Sequence, residues 1–184
     1  MTPPNDRLDA VARGLLRPLN QAAAKTALAD LKTIGKRQAA VAALIDGDTP
    51  LRDFIVAVFT LSPYLHDTAE LDPALLAAAI GAPLVPQIER LIDAARQAWL
   101  PAADAAAVSE GELMGRLRRI KRKAAFLIAL ADLSRLFDAR TSARLLSALA
   151  EASISAAIDH LLLSAHEAGK LVLKDAANPA PAPA

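Results

Sequence analysis

Apolar side chains recur every three or four positions between residues 113 and 131, and at about 100° per residue they fall on one stripe of a helix. The stripe consists of Leu113, Leu117, Ile120, Ala124, Leu127, Ile128 and Ala131. Basic residues lie at its edges or behind it: Arg116, Arg118, Arg119, Lys121, Arg122 and Lys123. No acid stands between Glu112 and Asp132, so the sequence predicts an amphipathic helix whose basic charge is not neutralised along its own length.

Several shorter helices are predicted before it. Three of them begin with a capping residue followed by proline, which suits the first helical position: Thr49-Pro50, Ser62-Pro63 and Asp72-Pro73. The first of these helices is apolar nearly all round, which predicts a buried helix. Further helical patterns cover residues 5–16, 20–34, 38–45 and 86–99. Residues 102–108 are mostly alanine and fit either a helix or a loop.

Two long helices follow. Ser109 and Glu112 have the spacing of a capping box at the start of the amphipathic helix, and Asp138 is predicted to cap the next. That last helix, from about Arg140 to Ala168, has one apolar face made of Leu145, Leu149, Ala152, Ala156 and Leu163. Almost opposite lie Ile154, Ile158 and Leu162. Two apolar faces predict two neighbours, and the second is either this bundle itself, a further domain or another copy.

The predicted fold is all-α, an irregular bundle of about 7–9 helices that ends in two long ones. Alanine, the strongest helix former, is about a quarter of the chain. Alternating proline and alanine at the end predict a disordered tail. We predict three segments: short N-terminal helices over 1–47, a helical domain over 48–174, and a linker or tail over 175–184.

Composition excludes several classes of protein. The 21 basic and 20 acidic residues give a net charge of +1, and aromatic residues are 3% of the chain. We therefore expect no nucleic-acid partner, since such proteins usually show a basic excess and stacking aromatics. We also expect no membrane partner, because the longest candidate stretch, Phe54–Leu61, is too short to span a bilayer. The absence of cysteine and of a secretory signal pattern fits a cytoplasmic location.

No catalytic, cofactor-binding or metal site is predicted. Asp46-Gly47-Asp48 has the Asp-x-Asp spacing that nucleotidyl transfer uses to hold Mg²⁺, but it lies in a turn with no strand before it. Aspartate and glycine are ordinary turn residues, so a structural role is preferred. The three histidines, His66, His160 and His166, lack the spacing of zinc ligands, and the scattered glycines form no phosphate loop.

Three segments resemble the N-terminal helical region of the bifunctional glutamine-synthetase adenylyltransferase/adenylyl-removing enzymes of bacteria. They are FIVAVFTLSPYL at 54–65, LRRIKRKAAFLIALADL at 117–133 and LLSALAEASISAAIDHLL at 145–162. The resemblance covers roughly residues 51–173 and consists of hydrophobic patterns with a few fixed polar points. Residues 1–45 match least.

The resemblance implies a part in the regulation of nitrogen assimilation. In that family one half removes AMP from glutamine synthetase with phosphate, the other adds AMP from ATP with Mg²⁺, and a PII signalling protein biases the two. It implies glutamine synthetase, PII and a downstream catalytic domain as partners. Because nothing in this chain matches the family's Gly-Ser and Asp-x-Asp elements, we predict that the chain alone is inactive and binds no cofactor.

Two groups of residues are candidate docking sites. The basic group, which would suit an acidic partner or phosphate, is Arg118, Arg119, Lys121 and Arg122. The preferred interpretation is simpler: a solvated face, or pairing with Glu151, Asp104 or Glu110. The apolar group is Ile154, Ile158 and Leu162, and it supports an alternative function as a stand-alone helical adaptor or oligomerisation module. A nucleic-acid-binding basic helix is the weaker third hypothesis.

Overall fold

A computed structural model describes residues 7–11, 16–101 and 107–179. All regular secondary structure in these ranges is helical, which confirms the all-α prediction. The helices are α1 Leu8–Val11, α2 Gln21–Gly35, α3 Ala39–Asp46, α4 Pro50–Leu61, α5 Pro63–Leu71, α6 Pro73–Gly81, α7 Leu84–Arg96, α8 Glu110–Leu133 and α9 Ala139–Glu167. The last two are the longest, with 24 and 29 residues, as predicted. Half of the helix expected over 5–16, namely residues 5, 6 and 12–15, and residues 102–106 of the alanine stretch lie outside the described residues.

The caps predicted from the sequence fix the starts of four helices. The side chains of Asn20, Thr49, Ser62 and Asp72 accept hydrogen bonds from the backbone N–H three residues on, at 2.8, 3.2, 3.4 and 3.2 Å. Proline follows the cap at the start of α4, α5 and α6. Because Ser62 and Asp72 each end one helix and cap the next, these three helices follow one another directly.

The chain divides into two compact units, and α7, α8 and α9 contribute residues to both. The first unit takes its described residues from 1–88 and 125–143. There α2 packs against α3 and α4, and α6 packs against α3. Its fully buried side chains include Leu8, Leu31, Ile34, Ile55, Leu76, Leu84, Phe126, Leu127 and Leu130. The middle of α4, Phe54 to Phe59, is buried all round, as predicted.

The second unit takes its described residues from 89–124 and 144–184. A small core forms at the start of α8, where Ala98, Val108 and Leu113 are buried and Trp99, Leu117 and Ile120 pack against them. Along α9 one face is buried, comprising Leu145, Leu149, Ala152, Ala156 and His160. These two units divide the chain at other positions than the predicted segments 1–47, 48–174 and 175–184. The three segments stay predictions.

Both long helices end in the same hydrogen-bonding motif. After α8, the N–H of Arg135 bonds to the carbonyl of Asp132 and the N–H of Leu136 to that of Ala131, each at 2.9 Å. After α9, Gly169 and Lys170 repeat this pattern, a Schellman motif. The motif needs a left-handed residue, supplied by Arg135 at φ 59° and by Gly169 at φ 69°.

α9 departs from the sequence analysis in one respect. By length and composition it is apolar enough to cross a membrane, whereas Phe54–Leu61 was the longest candidate expected. The difference arises because serines and single charged residues interrupt the apolar residues of α9 but lower its mean hydropathy only a little. Core helices of soluble proteins meet the same test, so one such helix does not identify a membrane protein.

The start of the proline- and alanine-rich tail also departs from the expected extended chain. The side chain of Asp175 accepts a hydrogen bond from the N–H of Ala177 at 2.9 Å, and its carbonyl accepts one from Asn178 at 3.3 Å. Aspartate favours such turns by bonding to the backbone two residues on. Residues 180–184 lie outside the described part of the chain.

Candidate functional site

The first half of α8 presents its basic residues on two sides of the helix. Arg118, Arg119 and Lys121 are exposed, and Arg122 is half-buried. At about 100° per residue, Arg118, Lys121 and Arg122 lie on one side of the helix. Arg119 lies nearer a different face, with Arg116 and Lys123. The four predicted docking residues therefore do not share one surface.

A groove lies between the end of α7 and the first half of α8, entirely within the second unit. Its volume is about 490 Å³, and it is lined by Leu91, Ala94, Gln97, Ala98, Arg116, Arg119, Ile120 and Lys123. The apolar residues and the exposed cation Arg119 together suit a partner segment that is both acidic and apolar. Of the three cations that line the groove, only Arg119 was a predicted docking residue, because the position of α7 beside α8 is not visible in a one-helix projection.

Arg116 has a structural part in this groove. Its Nη1 donates to the carbonyls of Ala98 and Leu100 at 3.0 and 2.8 Å, and its Nη2 lies 2.7 Å from Oε1 of Glu112. The expectation that no basic charge is neutralised along this helix is therefore wrong for Arg116. Glu112 precedes it by one helical turn, which is the favourable order for such a pair.

The Glu112–Arg116 pair also changes the predicted capping box. The N–H of Glu112 donates to Oγ of Ser109 at 3.3 Å, so half of the box forms. The Glu112 carboxylate pairs with Arg116 and does not turn back towards Ser109. Within the described residues no ion pair involves Glu151 or Glu110, two of the acids expected to pair with the basic residues. The third, Asp104, lies outside the described residues.

The second apolar face of α9 lies open in this chain. Ile154 is 59% exposed, Ile158 45% and Leu161 60%. The alternative that this bundle buries the face is therefore wrong for Ile154 and Ile158. Leu162 is half-buried at the edge of the face, and Leu161, which sequence analysis did not name, is a full member of it. Docking at these residues stays a prediction.

The Asp46-Gly47-Asp48 turn is occupied by contacts within the protein. Asp48 forms an ion pair with Arg52, which also donates to the carbonyl of Gly47 at 3.1 Å and to Asp53 at 3.0 Å. The hydrogen bond to Asp53, and then that to Asp48, raise the pKa of Arg52 above its ordinary value. These contacts support a structural role for the turn at the start of α4.

A further cluster of titratable side chains, absent from the predicted sites, lies between α2 and α5. His66 Nε2 in α5 lies 3.2 Å from Oδ2 of Asp30 in α2 and 3.9 Å from Oε1 of Glu70. The i, i+4 spacing of His66 and Glu70 was a signal that the sequence offered. The sequence offered no such signal for Asp30, because only the packing of α2 on α5 brings Asp30 close to His66.

Comparisons with known proteins agree with the resemblance seen in the sequence. A family model described as glutamate-ammonia ligase adenylyltransferase matches residues 53–181. The bifunctional glutamine synthetase adenylyltransferase/adenylyl-removing enzyme of Agrobacterium fabrum is 55% identical over 173 residues, 94% of this chain. Its counterpart from Rhizobium meliloti is 53% identical over 175 residues, 95% of the chain, and that from Mesorhizobium japonicum is 41% identical over 166 residues, 89% of the chain.

The chain spans only part of these relatives. It covers 17% of the length of the Agrobacterium and Rhizobium proteins and 16% of the Mesorhizobium protein. No solved structure matches the chain.

Proposed function

This chain belongs to the glutamate-ammonia ligase adenylyltransferase family, and we propose that it is the N-terminal helical region of a bifunctional glutamine synthetase adenylyltransferase/adenylyl-removing enzyme. The observation that carries the proposal is 55% identity to such an enzyme over 94% of the chain. The names of the relatives place adenylyl transfer to glutamine synthetase, and its removal, in the full-length proteins. The chain would contribute to that chemistry as one part of a longer enzyme.

Its part in the reaction is non-catalytic. Adenylyl transfer needs carboxylates free to hold Mg²⁺ against phosphates, and Asp48, in the chain's candidate Asp-x-Asp, is paired with Arg52. ATP and Mg²⁺ would bind to the remainder of the enzyme. A cytoplasmic location belongs to the same proposal, since that is where ATP and glutamine synthetase meet, and the absence of cysteine agrees with it.

The remainder of the enzyme is the proposed occupant of the open face of α9. Ile154, Ile158 and Leu161 form an exposed apolar row at i, i+4 and i+7. The relatives carry most of their length outside the matched region, so they have ample chain to cover such a row. Glutamine synthetase and PII are proposed as further partners, with the side of α8 that carries Arg118, Lys121 and Arg122 as the surface for an acidic segment of either.

The alternative, a stand-alone adaptor, depends on the same α9 face. It predicts that the isolated chain self-associates through that face. The similarity to the relatives described above supports the enzyme, because each of those relatives is an adenylyltransferase/adenylyl-removing protein. Sedimentation of the isolated chain separates the two, since the enzyme proposal needs no dimer.

The experiment measures ADP released from adenylylated glutamine synthetase and phosphate. It compares this chain alone, the remainder of the Agrobacterium fabrum enzyme alone, and the two mixed. We expect no ADP from the chain alone and faster release from the mixture than from the remainder. Turnover by the chain alone would contradict the non-catalytic role, and a mixture no faster than the remainder would contradict the proposed contribution.

A further inference from the structure

Three side chains that no part of the proposed function uses meet between α2 and α5 in the first unit. His66 and Glu70 lie one turn apart on α5, and Asp30 reaches them from α2. One oxygen or nitrogen atom from each lies within 4.8 Å of the other two. Nε2 of His66 is 3.2 Å from Oδ2 of Asp30 and 3.9 Å from Oε1 of Glu70. The imidazole thus turns one nitrogen towards two carboxylates.

The other nitrogen of His66 is held by a third carboxylate. Nδ1 lies 3.2 Å from Oδ1 of Asp67. Phe59 meets the imidazole edge to face, with ring centroids 5.1 Å apart, which fixes the ring plane. In the tautomer that donates Nδ1–H to Asp67, Nε2 carries a lone pair directed at Asp30 and Glu70. Histidines that ligate metals characteristically donate their second N–H to a carboxylate in this way.

Nε2 itself lacks a hydrogen bond. The atom is buried and has no partner of acceptable geometry, although Oδ2 of Asp30 is only 3.2 Å away. The guanidinium of Arg37 donates to the backbone carbonyl of Glu70, at 3.2 Å, and not to its carboxylate. Within the described residues no lysine or arginine forms an ion pair with the Asp30 or Glu70 carboxylate. A lone pair and two carboxylates at this separation repel one another unless a cation lies between them.

We propose that Asp30, His66 and Glu70 bind a divalent transition-metal ion, Zn²⁺ foremost. Tetrahedral Zn²⁺ with bonds of 2.0–2.2 Å places its ligand atoms about 3.4 Å apart. The two distances from Nε2, 3.2 and 3.9 Å, bracket this value, and the Asp30 and Glu70 oxygens lie within 4.8 Å of each other, so rotation of the two carboxylates completes the geometry. The imidazole selects Zn²⁺ over Mg²⁺ and Ca²⁺, which prefer oxygen ligands alone.

A fourth ligand has room to enter. Asp30 and His66 line a surface cavity of about 300 Å³, together with Phe59, Thr60 and Pro63. Water reaching the ion through this cavity gives the three-ligand-plus-water arrangement common for zinc. The ion joins α2 to α5, so it stabilises the first unit whatever the enzyme's activity.

The test titrates Zn²⁺ into the full chain, without a histidine tag and treated with chelator, by calorimetry and by thermal denaturation. We expect one Zn²⁺ per chain and a higher Tm. His66→Gln and Asp30→Asn should each weaken binding by at least about tenfold, and Asp67→Asn by about tenfold, through loss of the outer partner. His166→Gln, which removes a histidine outside the cluster, should bind as the unchanged chain does.

Three results would overturn the proposal: no Zn²⁺ binding at millimolar metal, binding unchanged in His66→Gln and Asp30→Asn, or equal affinity for Ca²⁺. A second measurement avoids dependence on variants that fail to fold. In the unchanged chain with ¹⁵N-labelled histidine, we expect Zn²⁺ to shift the Nε2 resonance of His66 and not those of His160 and His166. A shift confined to another histidine would also refute the site.

Discussion

Nη1 of Arg116 donates a hydrogen bond of 2.8 Å to the carbonyl oxygen of Leu100. The same nitrogen donates to the carbonyl of Ala98 at 3.0 Å, so one guanidinium satisfies two carbonyls left free beyond the end of α7. Nη2 pairs with Glu112 on α8 itself. The most conspicuous basic segment of the sequence thus includes a residue that joins the end of α7 to α8.

Replacing Arg116 with methionine should lower the free energy of unfolding by roughly 2 kcal/mol, since hydrogen bonds from charged groups contribute about 1.5–3 kcal/mol. The two carbonyls lose their donor, while the apolar stem is kept. Urea denaturation measures the loss. Arg118→Met, at an exposed position of the same helix, is the matched control and should change stability by less than about 0.5 kcal/mol. Equal losses in the two variants would contradict the assigned role.

Gln87 forms the corner between α6 and α7. Its buried amide nitrogen lies 3.0, 3.2 and 2.9 Å from the carbonyls of Ala78, Ala82 and Pro83. Gln87→Met removes this donor. The carbonyl of Ala78 still accepts from the N–H of Ala82 at 3.1 Å, but the loss of the amide at all three carbonyls should cost about 1–3 kcal/mol of stability. Thermal denaturation beside Gln97→Met, an exposed glutamine, checks this. A tolerated Gln87→Met would show that other donors replace the amide.

The two Schellman motifs differ in the residue that adopts the left-handed conformation. Exchanging that residue should change the stability of the chain in opposite directions at the two motifs. Arg135→Gly removes the steric cost of φ 59° and should stabilise the chain by about 0.5–1 kcal/mol. Gly169→Ala imposes that cost at φ 69° and should destabilise by about 1 kcal/mol. Denaturant titration measures both. Loss of stability in Arg135→Gly would mean that the arginine side chain makes a contact worth more than the strain.

We expect the stability of the chain to depend on pH through the carboxyl group of Asp138. Hydrogen bonds from Thr141, first from its side chain and then from its backbone, hold the pKa of Asp138 below its ordinary 3.8. A carboxyl whose pKa is lowered by folding contributes its full stabilisation at pH values above its pKa in the unfolded chain. That stabilisation is lost as the pH falls through its lower pKa in the folded chain. Asp138→Asn keeps a cap without the charge.

The Tm of the unchanged chain should therefore exceed that of Asp138→Asn at about pH 6, and the gap should close below about pH 3.8. Exposed Glu89→Gln, measured in parallel, separates this effect from general acid destabilisation. A gap that stays constant between these pH values would show that Asp138 is not the titrating group.

Helix starts were predictable because their causes are local. Thr49, Ser62 and Asp72 each stand directly before a proline, and the bonds they accept come from three residues on. The opposite faces of α9 were likewise visible, because a helical projection separates Ile154 from Leu149. In both cases the deciding residues lie within a few turns of one another.

The parts that sequence analysis missed depend on packing between helices. Arg116 finds the carbonyls of Ala98 and Leu100 only because α7 ends beside α8. Asp30 and His66 meet only when α2 packs on α5. Likewise, a projection showed two apolar faces on α9 but could not say which one this chain leaves open.

The central claim is that this chain docks, through the open face of α9, onto the remainder of a longer adenylyltransferase/adenylyl-removing enzyme. The most direct measurement is the affinity of the chain for the remainder of the Agrobacterium fabrum relative, by calorimetry. We expect a one-to-one complex that the double variant Ile154→Asp, Ile158→Asp weakens by at least about tenfold, as loss of central apolar anchors does. Leu71→Asp, at an exposed leucine of the first unit, should leave the affinity unchanged. No complex, or one that tolerates both aspartates on α9, would contradict the claim.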